Sequence, residues 1–399
     1  MQVERARAGV DAGKEHHHVV VVDFEGRKLL SRRVANDEAA LREIVQEALT
    51  RADEVTWAID LADGPAALMI TLLLLQGQHV HFPPGVAVNR AASAYRGEGK
   101  TDAKDAAVIT DQVRMRRDLR ELRLVEEEIT ELRMLTAHRA DLAADRTRTI
   151  NRLRIQLVAI FPVLERVLDF TNRGPLILVT EFQTPAALTS IEEDDLERWL
   201  RERKVRHAAK LASTARRAAQ AQPTKLPGET MAANLVRRLA ATILRPNEEL
   251  KKIDSLISAR FHSQPSAEII TTMVGIGDLL GAEFLAAIGG GLDGFASADH
   301  LAGYAGLAPT PHVSGKRTGN LRRPQRYNRQ LQRVFYTSAM ISIQHSPASR
   351  AFYNGKRAQG KRHTQAVLAL ARRRVNVLWA MLRDHHPYEE HRPLRVLAA

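Results

Sequence analysis

The chain has 399 residues, more than one simple core needs, so two or three domains are expected. Its 59 Lys and Arg against 46 Asp and Glu leave a net charge of +13, which favours a polyanionic partner, nucleic acid first among them. Absence of cysteine excludes disulfides, thiolate-ligated zinc and thiol catalysis. No membrane association is expected: the longest strongly apolar run, Ala66 to Leu75, is about half of a span and reads as a buried helix. With no apolar signal core near the N-terminus, the expected location is the cytoplasm.

In chain order, residues 6–11 read as a short strand ending at Asp11. "HHVVVVDF" (17–24) is β-branched and reads as a central strand, and "KLLSRRVA" as a third. The three histidines at 16–18 run into that valine strand and are read as part of it. An amphipathic helix over 37–50 follows, then a strand over 54–60, a helix over 64–76 and a strand over 79–83 stopped by Pro83 and Pro84. "GEGKTDAKDAAVITDQ" (97–112) starts a further helix, expected to run to about residue 118. The order βββ-α-β-α-β-α predicts a mixed sheet with helices on its faces, over residues 1–118.

Residues 119–262 change character. Leu122, Ile129, Leu132, Leu135, Leu142, Ile150, Leu153 and Leu157 predict one long helix with a coiled-coil-like stripe over 119–160, ended by Pro162. A basic, alanine-rich helix is expected over 201–221, and a second long helix over 231–262 that Pro246 kinks or interrupts. Residues 263–399 differ again. "ITTMVGIGDLLGAEFLAAIG" (270–289) has the helix-hairpin-helix pattern, in which backbone amides around Gly275 and Gly277 can hold a phosphate; a plain helix–helix turn is the alternative. From His300 to Arg383 there are sixteen Lys and Arg and no Asp or Glu. A solvated face normally mixes signs, so this block points to phosphate contacts, with Lys316, Arg317, Arg322, Arg323, Arg326, Arg329 and Arg333 as the candidates.

Two constellations carry chemistry. Asp11 and Asp60 each lie where a strand ends, and Asp102 and Asp105 share one face at the start of a helix. If those strands adjoin, four carboxylates converge, and two Mg²⁺ ions would relieve their repulsion and promote phosphodiester cleavage. Taken singly, Asp102 and Asp105 also suit a helix start, and Asp11 an ordinary turn. The second is Ser314, followed by Gly315, Lys316 and Arg317: a hydroxyl that can attack a phosphodiester, or a simple turn. Tyr304, Tyr327, Tyr336 and Tyr353 are rival nucleophiles.

At both loci the chain resembles the insertion-sequence-110 family of transposases, the bridge-RNA-guided recombinases. The resemblance rests on "GVDAGKEHHHVVVVDFEGR", "VNRAASAYRGEGKTDAKDAAVITD", "MVGIGDLLGAEFLAAIG", "FASADHLAGYAGLAPTPHVSG" and "YNRQLQRVFYTSA". It implies an RNase H-like (RuvC-like) N-terminal domain with a metal site formed by Asp11, Asp60, Asp102 and Asp105, a helical coiled-coil middle, and a mainly helical C-terminal transposase domain. The second acid of the family's motif is usually Glu; here it is Asp60, one methylene shorter. The family's nucleophile maps to Ser314, implying a covalent serine–DNA intermediate. The implied partners are donor and target DNA, a structured non-coding RNA and further copies of the chain, as a dimer or tetramer. Two other classes fit the residues: an RNase H-type nuclease such as a junction resolvase, which uses water, and a non-catalytic nucleic-acid-binding protein.

Overall fold

The structure, a computed structural model, describes residues 3–83, 85–93, 95, 101–117, 119–124, 126–311, 321–322 and 324–390. The chain divides into two compact units, Met1–Glu126 and Glu127–Ala399.

The first unit is a mixed sheet with helices on both faces. Its elements are β1 (Val3–Ala12), β2 (His16–Asp23), β3 (Lys28–Ala35), α1 (Glu38–Arg51), β4 (Ala52–Ile59), α2 (Ala67–Leu75, entered through a 3₁₀ turn), β5 (His79–Phe82), α3 (Gly85–Ala92), α4 (Asp102–Met115) and β6 (Arg120–Glu121). Strand order is β3-β2-β1-β4-β5-β6. β1, β2 and β3 form an antiparallel meander, whereas β4 and β5 run parallel to β1. The period-two alternation read from the sequence sorts the two faces. Ala8 and Val10, Val19 and Val21, and Trp57 and Ile59 are buried in the core that includes α1 and α2. The intervening Val20, Val22 and Ala58 cluster with residues of α4.

Two elements differ from the sequence expectation here. Helix α3 is not signalled by any strong periodicity. Residues 119–126 are not the start of the long helix: Leu122 N–H donates to Val80 O at 2.7 Å, and Arg120–Glu121 pairs with β5 at the sheet edge. Leu122 therefore packs on the sheet core instead of on a helical stripe.

The second unit is mostly helical. The long helix is α5 (Glu127–Ile160), followed by α6 (Pro162–Val167), α7 (Arg173–Glu181), α8 (Pro185–Thr189), α9 (Glu193–Glu202), α10 (Ala208–Gln220), α11 (Glu229–Leu244), α12 (Pro246–His262), α13 (Ala267–Thr271), α14 (Asp278–Ile288) and α15 (Ala298–Tyr304). Short strands β7 (Thr310–Pro311) and β8 (Leu321–Arg322) pair, and α16 (Arg329–His345), α17 (Pro347–Ala358) and α18 (His363–Arg383) complete it. The helix expected over 201–221 is split, because Lys204 and His207 take left-handed conformations that end α9 and restart the chain as α10. Pro246 does interrupt the second long helix, as the first residue of α12. Two hydrophobic cores lie along α5. Leu153 and Leu157 near its C-terminal end join a core with α6–α11, while Ile129 and Leu132 near its start join another with α12–α18.

Candidate active site

Val10 and Ile59 are the last paired positions of the parallel strands β1 and β4, and Asp11 and Asp60 are the next residues of each. The two acids therefore leave neighbouring strands at the same level. Ala12 N–H donates to Asp60 Oδ1 at 3.0 Å and ties the ends of β1 and β4 together. Both acids follow the α4 face of the sheet. Gly9 lies under α4, and Asp11 is two residues on; Ala58 packs on α4, and Asp60 is two residues on.

The close seat of α4 depends on Gly9. A Cβ there would fall on the backbone nitrogen and Oγ1 of Thr110 and on the carbonyl of Ala106, so only glycine lets the helix backbone touch the strand. Thr110 Oγ1 is 2.7 Å from Ala106 O and 3.2 Å from Val20 O, linking the helix to β2. Capping of α4 belongs to Thr101, whose Oγ1 accepts from Lys104 N–H at 3.2 Å. Asp102 and Asp105 stand inside the first turn, where the helix dipole favours negative charge, but neither supplies the cap.

Electrostatics link the helix to the strands. Burial pushes the Asp60 carboxyl above its ordinary value; the negative charge of Asp105 adds to this, and the hydrogen bond from Ala12 opposes it. His18, directly across from Asp11 in the β1–β2 register, is held below the usual imidazole range by burial, while the charge of Asp102 pulls it up. Asp105 thus acts on the end of β4, and Asp102 on the pair across β1 and β2. Among the described residues no ion pair is made to Asp60, Asp102 or Asp105. A donor set made wholly of carboxylates suits a hard divalent ion. Among the described residues no three such side chains converge on one point.

The sequence reading gave His18 no role beyond the strand. The signal was present in the hairpin: Asp11 and His18 lie equally far from the β1–β2 turn, so antiparallel pairing sets them side by side. His18 Nε2 is 3.0 Å from Ser31 Oγ, which fixes the ring.

Ser314, Lys316, Arg317 and Arg323 lie outside the described residues. Arg322, Arg326 and Arg329 are exposed. Arg333 is committed to an ion pair at 2.5 Å with Glu283, a buried acid whose carboxyl burial pushes up and Arg333 partly restores. The rival tyrosines are built into the packing. Tyr304 accepts at its backbone carbonyl from Asn328 N–H (2.8 Å), and its hydroxyl accepts from Asn328 Nδ2 (3.2 Å). The Tyr327 ring covers Gly306, Tyr336 packs against the core, and Tyr353 Oη is 2.8 Å from His363 Nδ1. At the Gly-rich turn before α14, Gly275 has φ +87° and lies so close to α16 that a Cβ would stand 2.7 Å from Ser338 O. Arg374, buried and lowered by that burial to about 10, donates to Ser338 Oγ (2.9 Å) and to Val274 O and clamps the turn. Gly277 faces open space, but Asp278 beside it brings a carboxylate to the same helix start.

Residues 8–162 match a family model described as a transposase, of the DEDD type of insertion sequence IS110. Residues 267–354 match a second, described as "Transposase IS116/IS110/IS902 family". The chain is 54% identical over 384 residues to an uncharacterized 42 kDa protein of insertion element IS900 from Mycobacterium paratuberculosis, covering 96% of each. It is 50% identical over 382 residues to the 44.8 kDa protein of IS116 from Streptomyces clavuligerus (96% of this chain, 95% of the relative). It is 37% identical over 391 residues to the 43.6 kDa protein of IS110 from Streptomyces coelicolor (97% and 96%). The first family model spans all four aspartates, and the chain belongs to the IS116/IS110/IS902 family of transposases, enzymes that recombine DNA.

Proposed function

We propose that the chain is a site-specific DNA transposase in which the acidic site of the first unit and Ser314 serve one strand break, with a structured non-coding RNA choosing the sites. One observation carries this reading. Asp11 and Asp60 leave adjacent parallel strands at one level, under a helix whose first turn bears Asp102 and Asp105, and the charge of Asp105 is felt at Asp60. The strand order β3-β2-β1-β4-β5, with the first three antiparallel, supports an RNase H-like, RuvC-like reading of this unit.

Asp11, Asp60, Asp102 and Asp105 would hold divalent cations, Mg²⁺ by donor chemistry and two by the number of carboxylates. Bound there, they would stabilise charge on the phosphate oxygens and on the departing oxygen. The chain's own contribution is then positional. Gly9 and Thr110 fix α4 on the sheet, and the Ala12 hydrogen bond fixes the Asp60 carboxylate. Ser314 Oγ forms a bond to phosphorus as the bond from phosphorus to the deoxyribose oxygen breaks. The hydroxyl proton leaves with that step and the departing sugar oxygen takes one up, so a phosphodiester is kept and can be rejoined. Exposed cations such as Arg322, Arg326 and Arg329 hold nucleic-acid phosphates nearby, and the net charge of +13 suits both DNA and RNA. Assembly as a dimer or tetramer, and action in the cytoplasm, go with this reading.

The test is a strand-cleavage assay on DNA carrying the element's end, with Mg²⁺ or with chelator. The expected product in Mg²⁺ is DNA covalently joined to protein, absent with chelator and absent for Ser314→Ala. Clean cutting by Ser314→Ala, with no protein joined, would replace this reading by a water-using nuclease.

A further inference from the structure

The α17–α18 hairpin gathers charge of one sign. Residues 347–365 contain five Lys and Arg and no acid, and the sequence carries none until Asp384. Arg350, Arg357, Lys361 and Arg362 are exposed. Some arginines outside the hairpin are matched by carboxylates, as Arg32 is by Glu43 and Glu47, and Arg260 by Glu131. Among the described residues no acid pairs with any of the hairpin's five cations.

The layout is a stripe. Arg350, Asn354 and Arg357 stand at i, i+4 and i+7, on one face of α17, and Arg357 Nη1 donates to Lys361 O at 3.2 Å, holding the turn against the helix end. Arg350 and Arg357 are about 10 Å apart along the axis, which matches about three phosphates of one DNA strand. The hairpin's rings do not offer stacking platforms. Phe352 lies beneath Lys356 (5.5 Å) and Arg373 (5.2 Å), and Tyr353 is half-buried and bound to His363. A surface of cations without free rings holds a duplex backbone better than a single strand, and it fixes position without reading bases.

We infer that the α17–α18 hairpin is a docking surface for the backbone of duplex DNA, formed by residues distinct in sequence from Ser314, Lys316 and Arg317. This rests on the chain acting on DNA and gives cations of the basic block beyond Arg333 a defined surface and a single kind of partner. The hairpin holds the DNA by Arg350, Arg357, Lys361 and Arg362, independently of sequence.

The experiment measures affinity of the full chain for a short duplex DNA of arbitrary sequence across a range of salt. The triple variant Arg350→Gln, Arg357→Gln, Lys361→Gln is compared with wild type, and Lys361→Gln alone guards against a folding defect. With about 0.9 lost from the logarithmic salt slope per phosphate contact, the triple variant should be shallower by about 2.7 and the single variant by about 0.9. Unchanged slopes in folded variants would overturn the inference, as would a loss seen with duplex RNA and not with DNA. A wild-type chain with no salt-dependent DNA binding would instead sink the transposase reading beneath it, so the two failures are distinguishable.

Discussion

Asp60 stands where burial and a neighbouring carboxylate both oppose its ionisation. Its folded value lies above the unfolded one. The native state therefore binds the proton more tightly, and stability falls as pH rises from the ordinary value of 3.8 through the raised one. Asp60→Asn keeps the oxygen that accepts from Ala12 and removes the charge. The metal-free variant should melt at a higher temperature than wild type at neutral pH, and the gap should close as pH falls towards 3.8; a gap independent of pH would mean the raised value is wrong. Gly9 offers a second test. In Gly9→Ala the new Cβ meets the backbone of α4, so the helix must lift. Overpacking of this kind costs about 1–3 kcal/mol. Thermal denaturation should show that loss, and cleavage should fall with it; an unaltered melt would show that α4 does not rest on Gly9.

At the scale of elements, α4 is the piece that joins strand-end acids to helix acids. Thr101→Ala removes its cap and should cost about 1 kcal/mol, read by denaturation. Mg²⁺, by preferential binding to the folded state, should stabilise wild type by about 2.7 kcal/mol at a hundredfold excess over Kd, read as a rise in melting temperature. Asp102→Asn and Asp105→Asn should abolish that rise; an equal rise in both would place the ion elsewhere. Much of this unit was legible in the sequence. Valine runs and Pro83 gave the strands, and the acids flagged themselves by lying at element ends. What was not legible follows from how short or non-local the signals are. β6 is two residues long and exists through pairing with β5, a contact no local pattern carries. The split of α9 from α10 depends on left-handed turns at Lys204 and His207, residue types that do not announce positive φ. The role of Gly9 emerges only once α4 is laid on β1, and the place of His18 only once the hairpin register is set.

For the molecule as a whole, the four acids belong to the first unit, and Ser314 to the chain segment of the second. The excess of positive charge and the family matches in both units fit an enzyme that acts on DNA. The central claim is that these distant side chains act on one phosphodiester. Peptide mapping of the protein–DNA adduct, trapped on a nicked end substrate in Mg²⁺ for wild type and for Asp105→Asn, tests it most directly. The account predicts that the wild-type nucleotide is attached to the peptide containing Ser314, and that folded Asp105→Asn gives no adduct. Attachment at a tyrosine such as Tyr336, or a full yield of adduct from Asp105→Asn, would contradict it.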